Sequence, residues 1–150
     1  VEIRVLAFDE LDVRTAYDVW RLRQDVFVVE QECPYPDLDG RDAEPGTRHV
    51  VGLLDGAVAG YLRVLDDGTV ARVARVGRVV LARSARGQGL ADPLMRAALE
   101  IVGDRPSVLD AQAPLAGWYA GFGYAVSGPE FLEDGIPHLP MARPGGSPQT

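Results

Sequence analysis

The sequence predicts a mixed α/β domain, with an antiparallel meander early in the chain and helices packed around it. Three observations lead there. Apolar runs with strand-like alternation recur through the first half and are separated by turn signals, of which Asp55-Gly56 is the strongest. A β-rich run, Val79-Val80-Leu81, ends in a basic turn carrying Gly87 and Gly89. That turn feeds a stretch with Leu90, Leu94, Met95, Ala98 and Leu99 on one helical stripe.

Taken in order, Glu2–Phe8 alternates and reads as a strand. Asp12 is a suitable N-cap for a helix whose stripe of Val13, Ala16, Tyr17, Trp20 and Phe27 is expected to face the core. Val26–Glu30 runs into Cys33-Pro34-Tyr35-Pro36, where two prolines end any helix. His49–Leu54 and Ala57–Leu65 form a hairpin across Asp55-Gly56, and Asp66-Asp67-Gly68 turns the chain again. Thr69–Leu81 is then a long strand with a bulge expected near Gly77. The helix Leu90–Val102 tolerates Pro93 because first-turn N–H groups have no helical partner. Pro106–Ala111 is a strand and Pro114–Tyr119 a short helix. Tyr124–Val126 and Ile136–Ala142 close a hairpin across a long loop, and Pro137 and Pro140 make the last strand an edge or an irregular one.

A chain of 150 residues fits one domain, 1–143, followed by a flexible tail, 144–150. Its net charge of −7 argues against a nucleic-acid partner, since phosphate backbones select basic surfaces, and suits a cationic substrate. One cysteine, Cys33, excludes an internal disulfide framework and a cysteine-rich zinc site; with no Lys or His nearby in sequence it reads as buried and inert. The acidic run Asp37–Asp42 invites a calcium reading that fails, because position twelve of the loop is Arg48. It reads as a polar loop, and no metal is expected. No run approaches the ~18 apolar residues of a membrane span and no signal peptide is visible, so no membrane partner and a cytoplasmic location are expected.

The turn from Arg86 to Ala91 is where chemistry is expected. Gly87 and Gly89 allow backbone conformations closed to other residues, and the first turn of the following helix leaves N–H groups unpaired at its positive end. Together these make a phosphate site. It is not a P-loop, which needs GxxxxGK[ST], nor a dinucleotide turn, because Asp92 stands where the third glycine belongs. Asp92 also brings a negative charge close to the site, so its carboxylate is expected to point away.

Arg86, Gly89 and Ala91 fit R/Q-x-x-G-x-G/A, and Tyr119, Gly123 and Tyr124 follow downstream as Tyr, a short gap, then Gly-aromatic. In these features the chain resembles the GNAT acetyltransferase superfamily. Leu22–Gln31, Cys33-Pro34-Tyr35, Gly77–Val80 and Glu133–His138 narrow the resemblance to its ElaA-like family, over roughly residues 20 to 141. The resemblance implies a GNAT-like α/β fold, with a central, mostly antiparallel twisted sheet of about six to seven strands flanked by helices. It implies acetyl-CoA as acetyl donor and an amine acceptor, either a small molecule or a peptide, with a homodimer as one common state.

It further implies that pantetheine lies along Val79, Val80 and Leu81 as an added strand, and that an N–H there donates to the thioester oxygen. The pyrophosphate would rest on Arg86, Gly87, Gln88, Gly89, Leu90 and Ala91. Tyr119 would protonate the departing thiolate; a phenol with pKa near ~10 keeps its proton at neutral pH. The other reading of Tyr119 is a packed aromatic. Gln112, where relatives carry Asn, either bonds pantetheine amides or closes its strand locally. The base is open: Glu30 and His49 are the first choices, with His138, Glu133 and Asp134 behind them, or an ordered water. Arg78 either binds an anionic part of the substrate or pairs with an acid, and His138 is placed with it on the substrate side. Against the acetyltransferase stand a non-catalytic acyl-CoA binding or sensing module, which would not need Tyr119, and a purely structural domain.

Overall fold

An antiparallel meander forms the first half of the sheet. β1 (Glu2–Leu6) pairs with β2 (Arg48–Leu54), β2 with β3 (Ala57–Asp66), and β3 with β4 (Ala74–Leu81). The computed structural model describes residues 1–67 and 72–146. Gly68 of the expected turn and Thr69–Ala71 of the expected long strand lie outside the described residues, as do 147–150 of the expected tail. The Asp55-Gly56 hairpin is as expected, both residues taking positive φ (51° and 80°).

Alternation along these strands sorts side chains between two cores. Val50, Leu62 and Val64 pack with Leu90, Leu94, Met95 and Ala98 of α2 (Ala91–Val102) and the residue before it. Their neighbours Val51 and Tyr61 pack on the other face, with Val19, Leu22 and Val26. Leu90, Leu94, Met95 and Ala98 are fully buried, so the α2 stripe matches its sequence pattern, and each large apolar side chain there contributes about 1.5–3 kcal/mol. Gly60 lets α2 approach closely: a Cβ there would lie 2.8–3.0 Å from Leu81, Leu94 and Leu90.

α1 (Val13–Arg23) starts at Asp12, whose side chain accepts from the Thr15 N–H at 2.6 Å. Its buried face is only partly the expected one: Trp20 packs against the core, as does Phe27 of the segment that follows. Val13 and Tyr17 are 86% and 64% exposed, while Val19, Leu22 and Arg23 are buried. Both stripes have helical spacing, and Arg23 on the inner one disguised it as polar. The helix then widens into a π-helical segment, Gln24–Glu30, with Gln31 N–H bonded to Val26 O and Cys33 N–H to Val28 O.

The second half of the sheet runs through β5 (Ser107–Gln112), α3 (Ala116–Ala120), β6 (Ala125–Val126), β7 (Phe131–Glu133) and β8 (Ile136–Arg143). The order is β1-β2-β3-β4-β5-β8-β6, with β7 also on β8: eight strands among the described residues, where six to seven were expected. The additional strand, β7, falls inside the expected long loop and turns at Asp134-Gly135, both with positive φ. β8 is not an edge. It pairs with β5 on one side and with β6 and β7 on the other. Its prolines are tolerated by register. Pro140 accepts from the Ser127 N–H, so its missing donor faces the gap between β6 and β7. The donor missing at Pro137 faces the opposite side, one residue beyond the last β5 pair, Gln112–His138.

One joint positions the site. β4 and β5 are parallel and, among the described residues, pair only at Ala74–Ser107 and Arg75–Val108. Beyond that the strands part. β4 also carries the bulge expected near Gly77: Arg78 and Val79 together oppose Leu62, and Arg78 takes φ 53°.

Candidate active site

The parting of β4 and β5 opens a cavity of about 520 Å³. Its walls come from the π-helical segment (Val26, Phe27), β4 (Val76–Leu81), β5 (Leu109, Asp110, Gln112), α3 (Trp118, Tyr119) and the β7–β8 hairpin (Glu133, Asp134, Ile136, His138). Ala82 N–H bonds to Ala59 O, on the β3 side of β4. Alternation therefore sends the backbone groups of Val80 to β3 and those of Val79 and Leu81 to the open side. The bulge shifts this phase by one residue. The cavity thus has one wall of backbone donors and acceptors without a strand partner among the described residues, of which the Leu81 carbonyl accepts from Arg86 Nη2 at 3.2 Å. Val80 lines the cavity too, but its backbone groups are turned to β3 and its side chain packs in the core beside α1.

At one end of this edge lies the glycine turn. Gly87 and Gly89 both have φ 78° with open space where a side chain would stand. No side chain caps α2, so its first-turn N–H groups remain available, and Pro93 has none to lose. Gln88 braces the turn through Ser84 O at 2.8 Å. Ala91 and Arg86 line the cavity, whereas the Leu90 side chain is fully buried, leaving only its backbone to a ligand. Asp92 is held by the Trp118 indole, Nε1–H donating to Oδ1 at 3.1 Å, which ties its carboxylate to α3.

Glu30 is not placed as a base. Arg86 donates to both its oxygens, at 2.8 and 3.0 Å, and Arg83 lies 3.4 Å away. The hydrogen bonds from Arg86 hold its carboxyl below the usual range, which makes it a poor proton acceptor. It is absent from the cavity wall. Glu30 instead competes for Arg86 with any anion at the turn. Glu30→Gln is therefore expected to leave kcat within about twofold, far short of the loss on removing a general base, and to tighten CoA binding a few-fold by calorimetry.

His49 does not belong to the site either. It is fully buried, outside the cavity, between the Asp42 carbonyl (3.0 Å from Nε2) and the Tyr61 hydroxyl at Nδ1. The carbonyl only accepts, so Nε2 donates and Nδ1 receives the Tyr61 proton. Burial pushes its pKa down, and with both nitrogens committed the ring cannot relay a proton from substrate.

Tyr119 stands where the sequence places it. Its side chain lines the cavity and is 5% exposed, in edge contact with Trp118 and Tyr124, and its hydroxyl has no hydrogen-bond partner among the described residues. Burial pushes its pKa above the usual phenol value, so it is a donor at neutral pH. Gln112 ends β5 at the cavity with one long contact, 3.4 Å, to Gln31. His138 faces the same space and is 8% exposed. Cys33 is buried as expected, donating to Asp134 O at 3.1 Å, and burial pushes its thiol pKa up.

Arg78 belongs to an ionic network that the sequence did not disclose. Its Nε sits 2.8 Å from Asp37 without aiming its N–H there, Nη2 donates to Asp37 O at 3.0 Å, and the guanidinium lies 5.5 Å over the Tyr35 ring. Asp37 also receives Arg23 Nε at 2.9 Å, Asp42 receives Arg23 at 2.8 Å and Arg63 at 3.1 Å, and Asp39 receives Arg63 at 2.6 and 2.9 Å. Arg23, Arg63 and Arg78 thus balance Asp37, Asp39 and Asp42. The polar loop is a buried counter-charge, and Arg78 pairs with an acid. Among the described residues no cluster of metal-ligating side chains occurs, and no helix is long and apolar enough to cross a membrane.

A sheet parted at β4–β5, an αL glycine turn before α2 and a free tyrosine in the cleft define a class, and comparison with known proteins gives it a name. The acetyltransferase (GNAT) domain family matches residues 24–143, and the chain belongs to that family. Within it the chain is ElaA-like: it is 37% identical to protein ElaA of Escherichia coli (strain K12) over 147 residues, covering 95% of this chain and 96% of ElaA. The crystal structure of Escherichia coli ElaA matches with a TM-score of 0.88, covering 95% of this chain and 99% of that one. An acyl-CoA N-acyltransferase from Pseudomonas aeruginosa matches with a TM-score of 0.88 at 38% identity, covering 95% and 98% of the two chains. A UPF0039 protein of Mycobacterium tuberculosis (strain ATCC 25618 / H37Rv) is 51% identical over 144 residues, covering 95% of this chain and 92% of that protein.

Proposed function

We propose that this chain is an acetyl-CoA-dependent N-acetyltransferase that moves an acetyl group to a primary amine, small-molecule or peptidic, by direct attack on the thioester. The observation that carries this reading is Tyr119, a buried side chain whose hydroxyl reaches the cavity without a hydrogen-bond partner among the described residues, where the cavity also contains the open edge of β4. Val79 and Leu81 offer that edge to the pantetheine amides as an added strand would use it, with Gln112 on the facing wall. An N–H of the same edge is a fixed donor for negative charge developing on the thioester oxygen. The turn from Arg86 to Ala91 and the N-terminus of α2 suit the pyrophosphate, which exchanges Glu30 for phosphate oxygens at Arg86. Tyr119 then gives its proton to the departing thiolate. The net charge of −7 favours a soluble cationic acceptor over nucleic acid.

The test is calorimetric titration with acetyl-CoA and CoA. Wild type is expected to bind, and the Arg86→Ala, Gly89→Asp double variant to lose at least about tenfold in affinity. A non-glycine residue in the left-handed region alone costs about 1–2 kcal/mol, near the 1.4 kcal/mol of a tenfold change. No binding by folded wild type would leave the family's fold without its chemistry. Binding with no thiol release on any amine, and indifference to Tyr119→Phe, would mark a non-catalytic acyl-CoA module.

A further inference from the structure

His138 lies in β8 between Gln112 of β5 and Phe131 of β7. Its side chain is more than nine-tenths buried, lines the cavity, and stacks on Phe131 with centroids 5.8 Å apart and planes at 24°. Nδ1 is 2.7 Å from the Ile136 carbonyl oxygen. A carbonyl only accepts, so Nδ1 carries the hydrogen and the neutral ring keeps its lone pair on Nε2. Nε2 has no partner among the described residues. The stack and the Nδ1 bond together fix the ring, which leaves a preset proton acceptor in the wall opposite the β4 edge.

Charge around the cavity points the same way. Four arginines line it and each is already paired: Arg63 with Asp39 and Asp42, Arg75 with Asp67 and Asp110, Arg78 with Asp37, Arg86 with Glu30. Glu133 and Asp134, at the turn that leads into His138, also line the cavity and have no ion pair among the described residues. The uncompensated charge at the acceptor side is therefore negative.

Resting on the acyl-transfer reading above, we infer that His138 Nε2 is the general base, and that the acceptor is a primary alkylamine arriving as its ammonium ion, gathered by Glu133 and Asp134. The ammonium gives one proton to Nε2. The freed nitrogen lone pair forms the C–N bond as the C–S bond breaks. The second nitrogen proton ends on the departing sulfur by way of Tyr119, which gives its own proton to sulfur and regains one from nitrogen. His138 leaves the cycle as imidazolium and returns its proton to water, so amine cation and thioester become amide, thiol and one released proton.

The experiment compares wild type with His138→Gln on two acceptors of similar shape: benzylamine, a cation at neutral pH, and O-benzylhydroxylamine, neutral there. With benzylamine the variant is expected to lose about 10²-fold or more in kcat/KM, the usual weight of a general base. With the neutral amine it is expected to lose no more than a few-fold, and acetyl-CoA affinity is expected to hold. A Glu133→Gln, Asp134→Asn variant is expected to raise KM for benzylamine alone. Equal losses on both amines would make His138 merely structural, and no loss would remove it from the chemistry; either overturns the inference. So does wild type that binds acetyl-CoA yet acetylates no primary alkylamine in a panel, while wild type that does not bind acetyl-CoA overturns the underlying transferase reading instead. Independently of variant folding, long-range ¹H–¹⁵N correlation spectra of wild type are expected to show His138 protonated on Nδ1; a hydrogen on Nε2 excludes the role.

Discussion

Tyr119→Phe is expected to lower kcat by about 10²-fold or more while leaving the affinity for acetyl-CoA unchanged. The phenylalanine keeps the edge contacts with Trp118, at 4.9 Å between centroids, and with Tyr124, at 6.4 Å, so the wall of the cavity survives. Only a hydroxyl without a partner among the described residues is removed. A packed aromatic would register no loss of turnover, and a hydroxyl that only contacts bound CoA would shift affinity rather than kcat. Steady-state kinetics with thiol release, alongside calorimetry, separates the three. Because burial raises the Tyr119 pKa, loss of its proton should not limit the rate anywhere below the ordinary phenol value near ~10.

The largest stability effect is expected at Asp42→Ala. Its carboxylate receives Arg23 and Arg63, whose side chains are 0% and 4% exposed, so truncation strands positive charge where water cannot reach. Breaking a buried pair in this way costs about 3–5 kcal/mol. With urea m-values of about 1–3 kcal/mol/M, the midpoint should move by more than 1 M, read by circular dichroism. Adding Arg63→Met to Asp42→Ala should recover part of the loss, since it removes one stranded cation; a loss of under ~1 kcal/mol for Asp42→Ala alone would mean that water already reaches the network. The acid limb has a defined sign. Hydrogen bonds from Arg63 hold Asp39 well below the usual carboxylate range. Its stabilisation is complete above its unfolded value near ~3.9 and is lost as pH falls from there toward the folded value.

Local rules were enough for the parts of the molecule that local geometry decides. Asp55-Gly56 reads as a hairpin because both residues must take positive φ, and the stripe from Leu90 to Ala98 reads as a helix face because burial follows its period. Asp134-Gly135 carries the same hairpin signal, but the short strand before it, three residues, is too brief to show alternation. The inner face of α1 was hidden by Arg23, which looks polar in sequence and is fully buried because two aspartates from a loop 14 and 19 residues on meet it. Arg63 in the apolar run Tyr61-Leu62-Arg63-Val64-Leu65 was the visible clue that a buried counter-charge existed. Glu30 and His49 are suggested by residue type and by place along the chain, one closing an apolar run and the other opening a strand. What disqualifies them is an ion pair to an arginine 56 residues away and, at His49, a carbonyl seven residues back together with the Tyr61 hydroxyl of the neighbouring strand, contacts that only the folded chain makes.

An unpaired strand edge is normally a hazard, because it templates pairing with any other extended chain. This molecule keeps two such edges, those of β4 and β5, in the middle of its sheet. The π-helical segment, α3 and the β7–β8 hairpin wall the gap between them. A neighbouring polypeptide would need room for side chains on both faces and about 4.8 Å of strand spacing along its whole length. A thin, unbranched molecule with amides at intervals does not. Walls on three sides of a parted sheet thus favour such a slender guest over the extended chains that the same hydrogen-bonding groups would otherwise invite.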